Sequence, residues 1–316
     1  MTKHVLCQSG LSVPPLMFGG NVFGWTIDQT MSFRILDALV EAGFNAIDTA
    51  DMYSSWVPGH QGGESESIIG QWLKARGGRD KVVIATKVGK LMGSGDQGLS
   101  PAWIVRAVED SLRRLQTDYI DLYYAHADDP SVPLEESLQT FADLVRQGKV
   151  RTIGASNYSA PRLKQALEVS ARLGLPRYEC LQPGYNLMDR QGFEAELAPF
   201  CQAEGLGVAP YYALASGFLT GKYRSVADLA DRARGAKVKE YLTDRGFRVL
   251  AALDAAATRQ GATMGQIALA WLMAKPAITA PIVSATNLDQ LRDLLKAPDI
   301  HLDAETMAEL DRASAS

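Results

Sequence analysis

Short apolar runs alternate with amphipathic stretches almost from end to end of this 316-residue chain. Runs near Leu16–Gly19, Asn45–Ile47, Val82–Thr86, Ile120–Ala125, Thr152–Ala155, Glu179–Gln182, Gly207–Pro210 and Thr279–Val283 read as strands. Most are continuously apolar or β-branched, the pattern of parallel strands covered on both faces. Between them apolar residues recur at helical spacing. Met31–Ala42 carries Ile35, Leu36, Leu39 and Val40 on one face and stops at Gly43, a residue suited to the left-handed turn that ends a helix. Ser100 caps a helix whose first residue is Pro101, with Ile104, Val105, Val108, Leu112 and Leu115 as its stripe. Comparable segments run through Leu134–Gln147, Pro161–Leu173, Glu194–Glu204 and Gly265–Ala274. Eight strands alternating with helices predict an α/β fold, a (β/α)8 TIM barrel rather than an open doubly wound sheet, with residues 1–316 as one domain. Thr2–Val13, turning at Ser9–Gly10, predicts an N-terminal β-hairpin that closes the bottom of the barrel.

Three connections are longer than usual: Ser54–Gly63, Gly89–Gly98 and roughly Ala215–Arg245. Each follows a strand, which places it on the carboxyl-end face where such barrels bind ligands. Four ionisable residues stand where strands end: Asp48 in FNAIDTA, Tyr53 in DMYSS, Lys87 in VVIATK and His126 in DLYYAH. Asp48, Lys87 and His126 are spaced 39 residues apart, one strand-plus-helix unit each, so repeated units bring them to one rim. An ammonium at the end of an apolar strand needs a partner, and Asp48 ends the neighbouring strand. The Asp48–Lys87 pair that follows would by itself suit a structural salt bridge equally well. Tyr53 lies five residues past Asp48 on the loop leaving the same strand and can swing over Lys87. A nearby ammonium stabilises phenolate and is expected to lower the phenol's pKa. His126 can then hydrogen-bond a substrate oxygen or help Tyr53 deliver its proton. Singly, Tyr53 reads as a packed aromatic and His126 as a satisfied core histidine; together the four compose a proton-transfer centre whose acid is the tyrosine.

The net charge of −4 and pI near 5.7 argue against nucleic-acid and anionic-membrane partners. Positive charge is scattered apart from a modest group at Arg232, Arg234, Lys237 and Lys239. The three cysteines, Cys7, Cys180 and Cys201, show no metal-ligand spacing, so no metal site is expected. Without a signal peptide they read as reduced thiols of a cytoplasmic protein. The longest apolar region, Ile267–Val283, is interrupted by Lys275 and two prolines, which excludes a membrane span there. The glycine-rich run GKLMGSGDQG lacks a G-x-G-x-x-G set between strand and helix, so it reads as a flexible loop and not as a Rossmann fingerprint.

The motifs FNAIDTADMYS, VVIATK and IDLYYAH resemble those of the aldo-keto reductase superfamily, and the likeness runs over nearly the whole chain. The resemblance implies a (β/α)8 barrel with a nicotinamide cofactor lying across the carboxyl ends of its strands. It implies a catalytic tetrad of Asp48, Tyr53, Lys87 and His126, with Tyr53 as general acid, Lys87 lowering its pKa and His126 orienting the carbonyl. Ser156 and Asn157 in GKVRTIGASNYS, with Gln182 in ECLQPGYN, match residues that hydrogen-bond the nicotinamide carboxamide. Apart from the family, the Ser156–Asn157 pair serves equally well as a helix N-cap. In VAPYYALASGFLTGKY, Tyr211 matches the aromatic that stacks on the nicotinamide ring, and Leu214, Ser216, Gly217 and Lys222 match the stretch that wraps the pyrophosphate. Tyr212 and Ala213 stand where the family usually has serine and proline.

In PIVSATNLDQLRD, Ser284 and Thr286 precede a helix whose N-terminus would face the adenosine phosphate. Ser284 and Gln290 stand where many members have lysine and arginine for the 2′-phosphate, with Asp293 nearby. The pattern is similar to that of the potassium-channel β subunits, which bind NADP(H). The implied cofactor is NADP(H), with NAD(H) as the alternative, and Arg232 or Arg234 could supply the missing charge. Trp25 and Trp56, with Asn21, Phe23 and the Gly89–Gly98 loop, would line an aromatic mouth for a small carbonyl or alcohol substrate, or else pack the loops. The function expected is hydride transfer between NAD(P)H and an aldehyde or ketone, with Tyr53 as acid and base. Two alternatives stay open: a redox-sensing, slowly turning regulatory protein, and a barrel lyase in which Lys87 forms a Schiff base. A lysine paired with Asp48 stays protonated, which argues against the lyase. Nothing in the sequence indicates an oligomeric state.

Overall fold

The computed structural model describes residues 4–6, 10–230 and 233–315, so Thr2, Cys7, Ser9 and Arg232 lie outside the described residues. The strands are β1 (His4–Val5), β2 (Ser12–Val13), β3 (Met17–Gly19), β4 (Ala46–Asp48), β5 (Val83–Val88), β6 (Ile120–Ala125), β7 (Val150–Ser156), β8 (Tyr178–Gln182), β9 (Gly207–Val208) and β10 (Ile282–Val283). The last eight form one parallel sheet in the order β10-β3-β4-β5-β6-β7-β8-β9. Backbone bonds of 2.9 Å from Thr279 N to Val208 O and from Ile282 N to Pro210 O join the two ends and close it. This is the barrel that the sequence pattern predicts, with β1 and β2 as a separate antiparallel hairpin.

Side chains alternate across each strand, and here they sort into two apolar layers. Met17, Ala46, Val83, Ala85, Leu122, Tyr124 and Cys180 fill the barrel. Phe18, Ile47, Ile84, Tyr123, Ile153 and Leu181 point outward beneath the helices. Leu6 and Val13 of the hairpin belong to the inner layer. A Cβ on Gly207, the first residue of β9, would stand 2.6 Å from Leu6 Cδ2. The hairpin therefore plugs the amino-end of the barrel and leaves the carboxyl-end open to the long connections. Gly154 must also be small, because the Tyr124 ring lies 2.6 Å from where its Cβ would be.

The helices are α1 (Gln29–Glu41), α2 (Glu64–Arg76), α3 (Pro101–Leu115), α4 (Leu134–Arg146), α5 (Ala160–Leu173), α6 (Gln191–Glu194), α7 (Leu197–Glu204), α8 (Gly235–Lys239), α9 (Asp244–Gln260), α10 (Met264–Met273), α11 (Leu288–Leu294) and α12 (Ala304–Ser314). Among the described residues none is long and apolar enough to cross a membrane. Helix α1 begins earlier than its apolar spacing predicts because the Asp28 carboxylate accepts from Met31 N at 2.8 Å, a polar cap outside the stripe. The single helix predicted at Glu194–Glu204 is two, α6 and α7. Pro199 has no N–H for the carbonyl of Ala195 and its ring crowds that carbonyl, so the helix restarts. Helices α2, α8, α9 and α12 are not predicted from the sequence; α8 lies within the Ala215–Arg245 connection and α9, capped by Thr243, starts within it.

Helices α2 and α3 cross so closely at Gly70 that an added Cβ would lie 2.0 Å from Arg114 O. Neither helix backbone can yield without moving the barrel wall behind it. Gly70→Ala is expected to destabilise the protein by about 3 kcal/mol, read as a lower urea midpoint at unchanged m-value; an unshifted midpoint would show that the helices separate freely.

Candidate active site

Strand alternation carries the same inward parity from Ala46 to Asp48 and from Ala85 to Lys87, so two polar groups meet inside an apolar tube. Lys87 lies at the end of β5, as expected, opposite Tyr124. Its side chain is fully buried, and Nζ donates to Asp48 Oδ2 (2.7 Å), Thr49 O (2.6 Å) and Tyr53 OH (3.1 Å). An ammonium has three protons to give, and each has an acceptor. The other Asp48 oxygen accepts from Gln182 Nε2 at 2.8 Å, tying β4 to β8 across the barrel. Tyr53 is delivered by a turn in which Tyr53 N donates to Ala50 O and Ser54 takes a left-handed φ of 74°. Ser54 Oγ anchors that turn by donating to Phe23 O at 2.9 Å. The His126 ring meets Tyr53 edge-on at 6.1 Å. All four residues expected to form the centre are thus brought together.

The electrostatics differ from the expectation in one respect. Lys87 was expected to make Tyr53 unusually acidic, yet the phenol is pushed well above its ordinary 10.0, first by burial and then by the Asp48 charge that it faces. Burial penalises the phenolate, and Asp48 at 2.7 Å already answers the ammonium. Tyr53 therefore rests as a protonated acid, with its OH 3.4 Å from Asp48 Oδ2. The Lys87 pKa is lowered, because desolvation outweighs the stabilisation from Asp48. His126 is held neutral, its pKa well below 6.5, by burial and by the charges of Lys87 and Lys90.

The polar residues expected around the rim first bind one another. Ser156 Oγ donates to Gln182 O (2.9 Å), and Asn157 Nδ2 donates to His126 O (2.8 Å). Neither is the N-cap of α5; that role belongs to Ser159, which accepts from Arg162 N. Tyr211 OH donates to Asn157 Oδ1 at 2.6 Å, fixing the ring at the mouth. From Tyr212 to Gly217 the chain takes left-handed φ at Tyr212 (57°), Ala215 (48°), Ser216 (58°) and Gly217 (92°), while Leu214 at −107° does not. Three of those four carry a Cβ, and each such residue costs on the order of 1 kcal/mol. Lys222 lies alongside, 3.3 Å from where a Gly217 Cβ would be. Ser284 Oγ lies 2.7 Å from both Gly19 O and Asn21 Oδ1. Gln290 Oε1 accepts from Thr286 N and Oγ1, at 2.9 and 3.0 Å, at the start of α11, which Asn287 caps. Asp293 is turned away, taking the Thr263 hydroxyl and the Gln266 amide.

Residues 15–315 match the model of the "Aldo/keto reductase family". The chain belongs to the aldo/keto reductase family. It is 36% identical to YrpG, an uncharacterised oxidoreductase of Bacillus subtilis, over 98% of this chain and 95% of that protein. It is 33% identical to a probable voltage-gated potassium channel β subunit of Oryza sativa, covering 93% and 90% of the two chains. The crystal structure of a thermostable aldo-keto reductase with the inhibitor epalrestat superposes with a TM-score of 0.78 at 30% identity, covering 99% of this chain and 100% of that one.

In this aldo/keto reductase the mouth is aromatic, though not with every residue expected there. Trp25 and Trp56 meet edge-on at 5.3 Å, and Trp56 meets Tyr53 at 6.1 Å. Phe23, expected beside them, is instead fully buried and stacked on Phe18 at 5.5 Å. The sequence reading missed Lys90, whose charge bears on His126, and Tyr124, which stands opposite Lys87. Tyr124 had a signal: it precedes His126 by two and shares its parity. No group of three or more His, Cys, Asp or Glu among the described residues could hold a metal ion.

Because folding keeps His126 neutral, the unfolded chain takes up a proton that the folded one refuses once pH falls below about 6.5. The stability contribution is present above that pH and is lost below it. The urea midpoint of the wild type should therefore drop more steeply between about pH 7.5 and about pH 5 than that of His126→Gln; parallel slopes would mean that His126 protonates freely in the folded state.

Proposed function

We propose that this family member reduces aldehydes and ketones with NADP(H), NAD(H) being the alternative, and that Tyr53 is the general acid. One observation carries the reading: a protonated phenol whose OH lies 3.1 Å from an ammonium that Asp48 holds in place, at the open end of the barrel. That two of the proteins it resembles are an oxidoreductase and an aldo-keto reductase supports it.

The residues present suit a nicotinamide dinucleotide. Between Tyr212 and Gly217 the backbone folds into tight turns, with Ala215 N donating to Tyr212 O and Gly217 N to Leu214 O. Lys222 pairs with no carboxylate among the described residues and sits against Gly217. With Leu214, Ser216 and Gly217 it would hold the pyrophosphate, and the Tyr211 ring, pinned by Asn157, would support the nicotinamide. Ser156, Asn157 and Gln182 would meet the carboxamide through capacity left over from their mutual bonds. Ser284, Thr286 and Gln290 would meet the adenosine end.

The bound cofactor supplies the hydride. Tyr53 gives its hydroxyl proton to the carbonyl oxygen as charge develops there, and Lys87 Nζ stabilises the phenolate left behind. Asp48 keeps the ammonium in place, and the neutral imidazole of His126 offers the oxygen a hydrogen bond. Alcohol oxidation runs the same steps backward, with the phenolate as base. The high resting pKa of Tyr53 suits this role, since the acid stays loaded until a substrate oxygen draws the proton. All three Lys87 protons are bonded, which argues against a Schiff-base lyase. The pattern of cysteines supports the cytoplasm as its setting.

Tyr53→Phe should fold and bind NADPH, measured by quenching of tryptophan fluorescence. Its carbonyl reduction, followed at about 340 nm, should drop by at least roughly 100-fold. A folded, cofactor-binding variant with full turnover would overturn the assignment. Tight NADPH retention with slow wild-type turnover on every carbonyl would favour the regulatory reading instead.

A further inference from the structure

Two cations near the mouth make no ion pair among the described residues. Arg234, just before α8, lays its guanidinium over Trp25 at 5.4 Å from the ring centroid, and Trp25 in turn leads through Trp56 to Tyr53. It makes no ion pair among the described residues, and the groups bearing on its charge are the hydroxyls of Tyr212, Tyr223 and Tyr53. Lys90, three residues past Lys87, is likewise partly buried without a carboxylate partner, and its charge bears on His126. The charge of Arg234 thus bears on Tyr53 and that of Lys90 on His126.

Placing a cation in a partly desolvated site without a partner is unfavourable. Other partly buried arginines among the described residues have acceptors: Arg245 donates to the carbonyls of Met188 and Ser314. Arg79, Arg114, Arg162 and Arg190, also partly buried, have carboxylate oxygens at 2.7, 2.7, 2.8 and 2.9 Å. The exception falls beside the reacting centre, where an incoming ligand can bring the missing charge.

We propose that Arg234, assisted by Lys90, binds a carboxylate carried by the carbonyl substrate, so that the preferred substrates are oxo acids with an aromatic or apolar segment lying against Trp25 and Trp56. Arg234 presents a planar fork suited to a carboxylate, and its stacking on Trp25 holds that fork in orientation. The same oxyanion chemistry could come from the cofactor diphosphate, and the test separates the two. The proposal rests on the reductase reading of the Tyr53 centre.

The probes are 4-carboxybenzaldehyde and its methyl ester, with NADPH. The wild type should prefer the acid in kcat/KM. In Arg234→Met, which keeps the packing on Trp25, the acid-over-ester preference should fall roughly 10- to 100-fold. Lys90→Met should lower it less, and Arg234→Lys should retain part of it. NADPH affinity, from tryptophan fluorescence, should hold at the wild-type value in all three. Equal loss on acid and ester, or NADPH affinity falling in step, would assign the charge to the cofactor and overturn the proposal. Arg234-dependent binding of 4-carboxybenzaldehyde without any turnover would uphold the anion site while sinking the reductase assignment.

Discussion

An ammonium group inside an apolar barrel can exist only if every one of its protons is met and its charge is answered nearby. Lys87 satisfies both conditions through Asp48 Oδ2, Thr49 O and Tyr53 OH. Removing one member of such a buried pair typically costs about 3–5 kcal/mol, because the remaining charge is left uncompensated. The same carboxylate receives Gln182 from the far side of the barrel, so one ion pair registers β4, β5 and β8 against one another. The place of the Tyr53 hydroxyl, 3.1 Å from Lys87 Nζ, follows from it.

Around this fixed centre the carboxyl-end loops hold strained backbone and exposed aromatic surface. The left-handed run from Tyr212 to Gly217 is stabilised by what packs behind it: Ala213, Ala215, Phe218 and Leu219 are all buried. The mouth can therefore keep a shape that the local sequence would not adopt alone. Beneath the rim lies a second buried polar cluster, facing the helices and not the barrel interior. Glu66 accepts from Thr86 Oγ1 at 2.6 Å and from Arg114 at 2.7 Å, and burial, together with Glu66, pushes the Asp51 carboxyl well above its ordinary range. One motif, DTADMYS, thus supplies a carboxylate to each face of the barrel wall.

Much of the architecture was legible because period and punctuation are local properties. The apolar runs, Gly43 after α1 and the Ser100–Pro101 start of α3 each announce their element without reference to anything distant. Where local cues competed, the reading slipped. The Ser156–Asn157 pair serves as a cap on paper, yet β7 runs through Ser156 and Ser159 caps α5. Phe23 sits among mouth residues in sequence but packs on Phe18 in space. The acidity expected of Tyr53 failed for a similar reason: proximity to Lys87 was inferable, whereas full burial and the partial neutralisation of that lysine by Asp48 were not.

By itself the sequence determined the strand-and-helix alternation, the barrel class and the identity of the four residues at its rim, since repeat length and side-chain parity depend only on order along the chain. The tertiary structure alone decided that Gln182 grips Asp48 across 134 positions, that the phenol's pKa is raised instead of lowered, and that Arg234 lies over Trp25 with no ion pair among the described residues. Burial, desolvation and distance between remote segments set those properties, and none exists until the barrel closes.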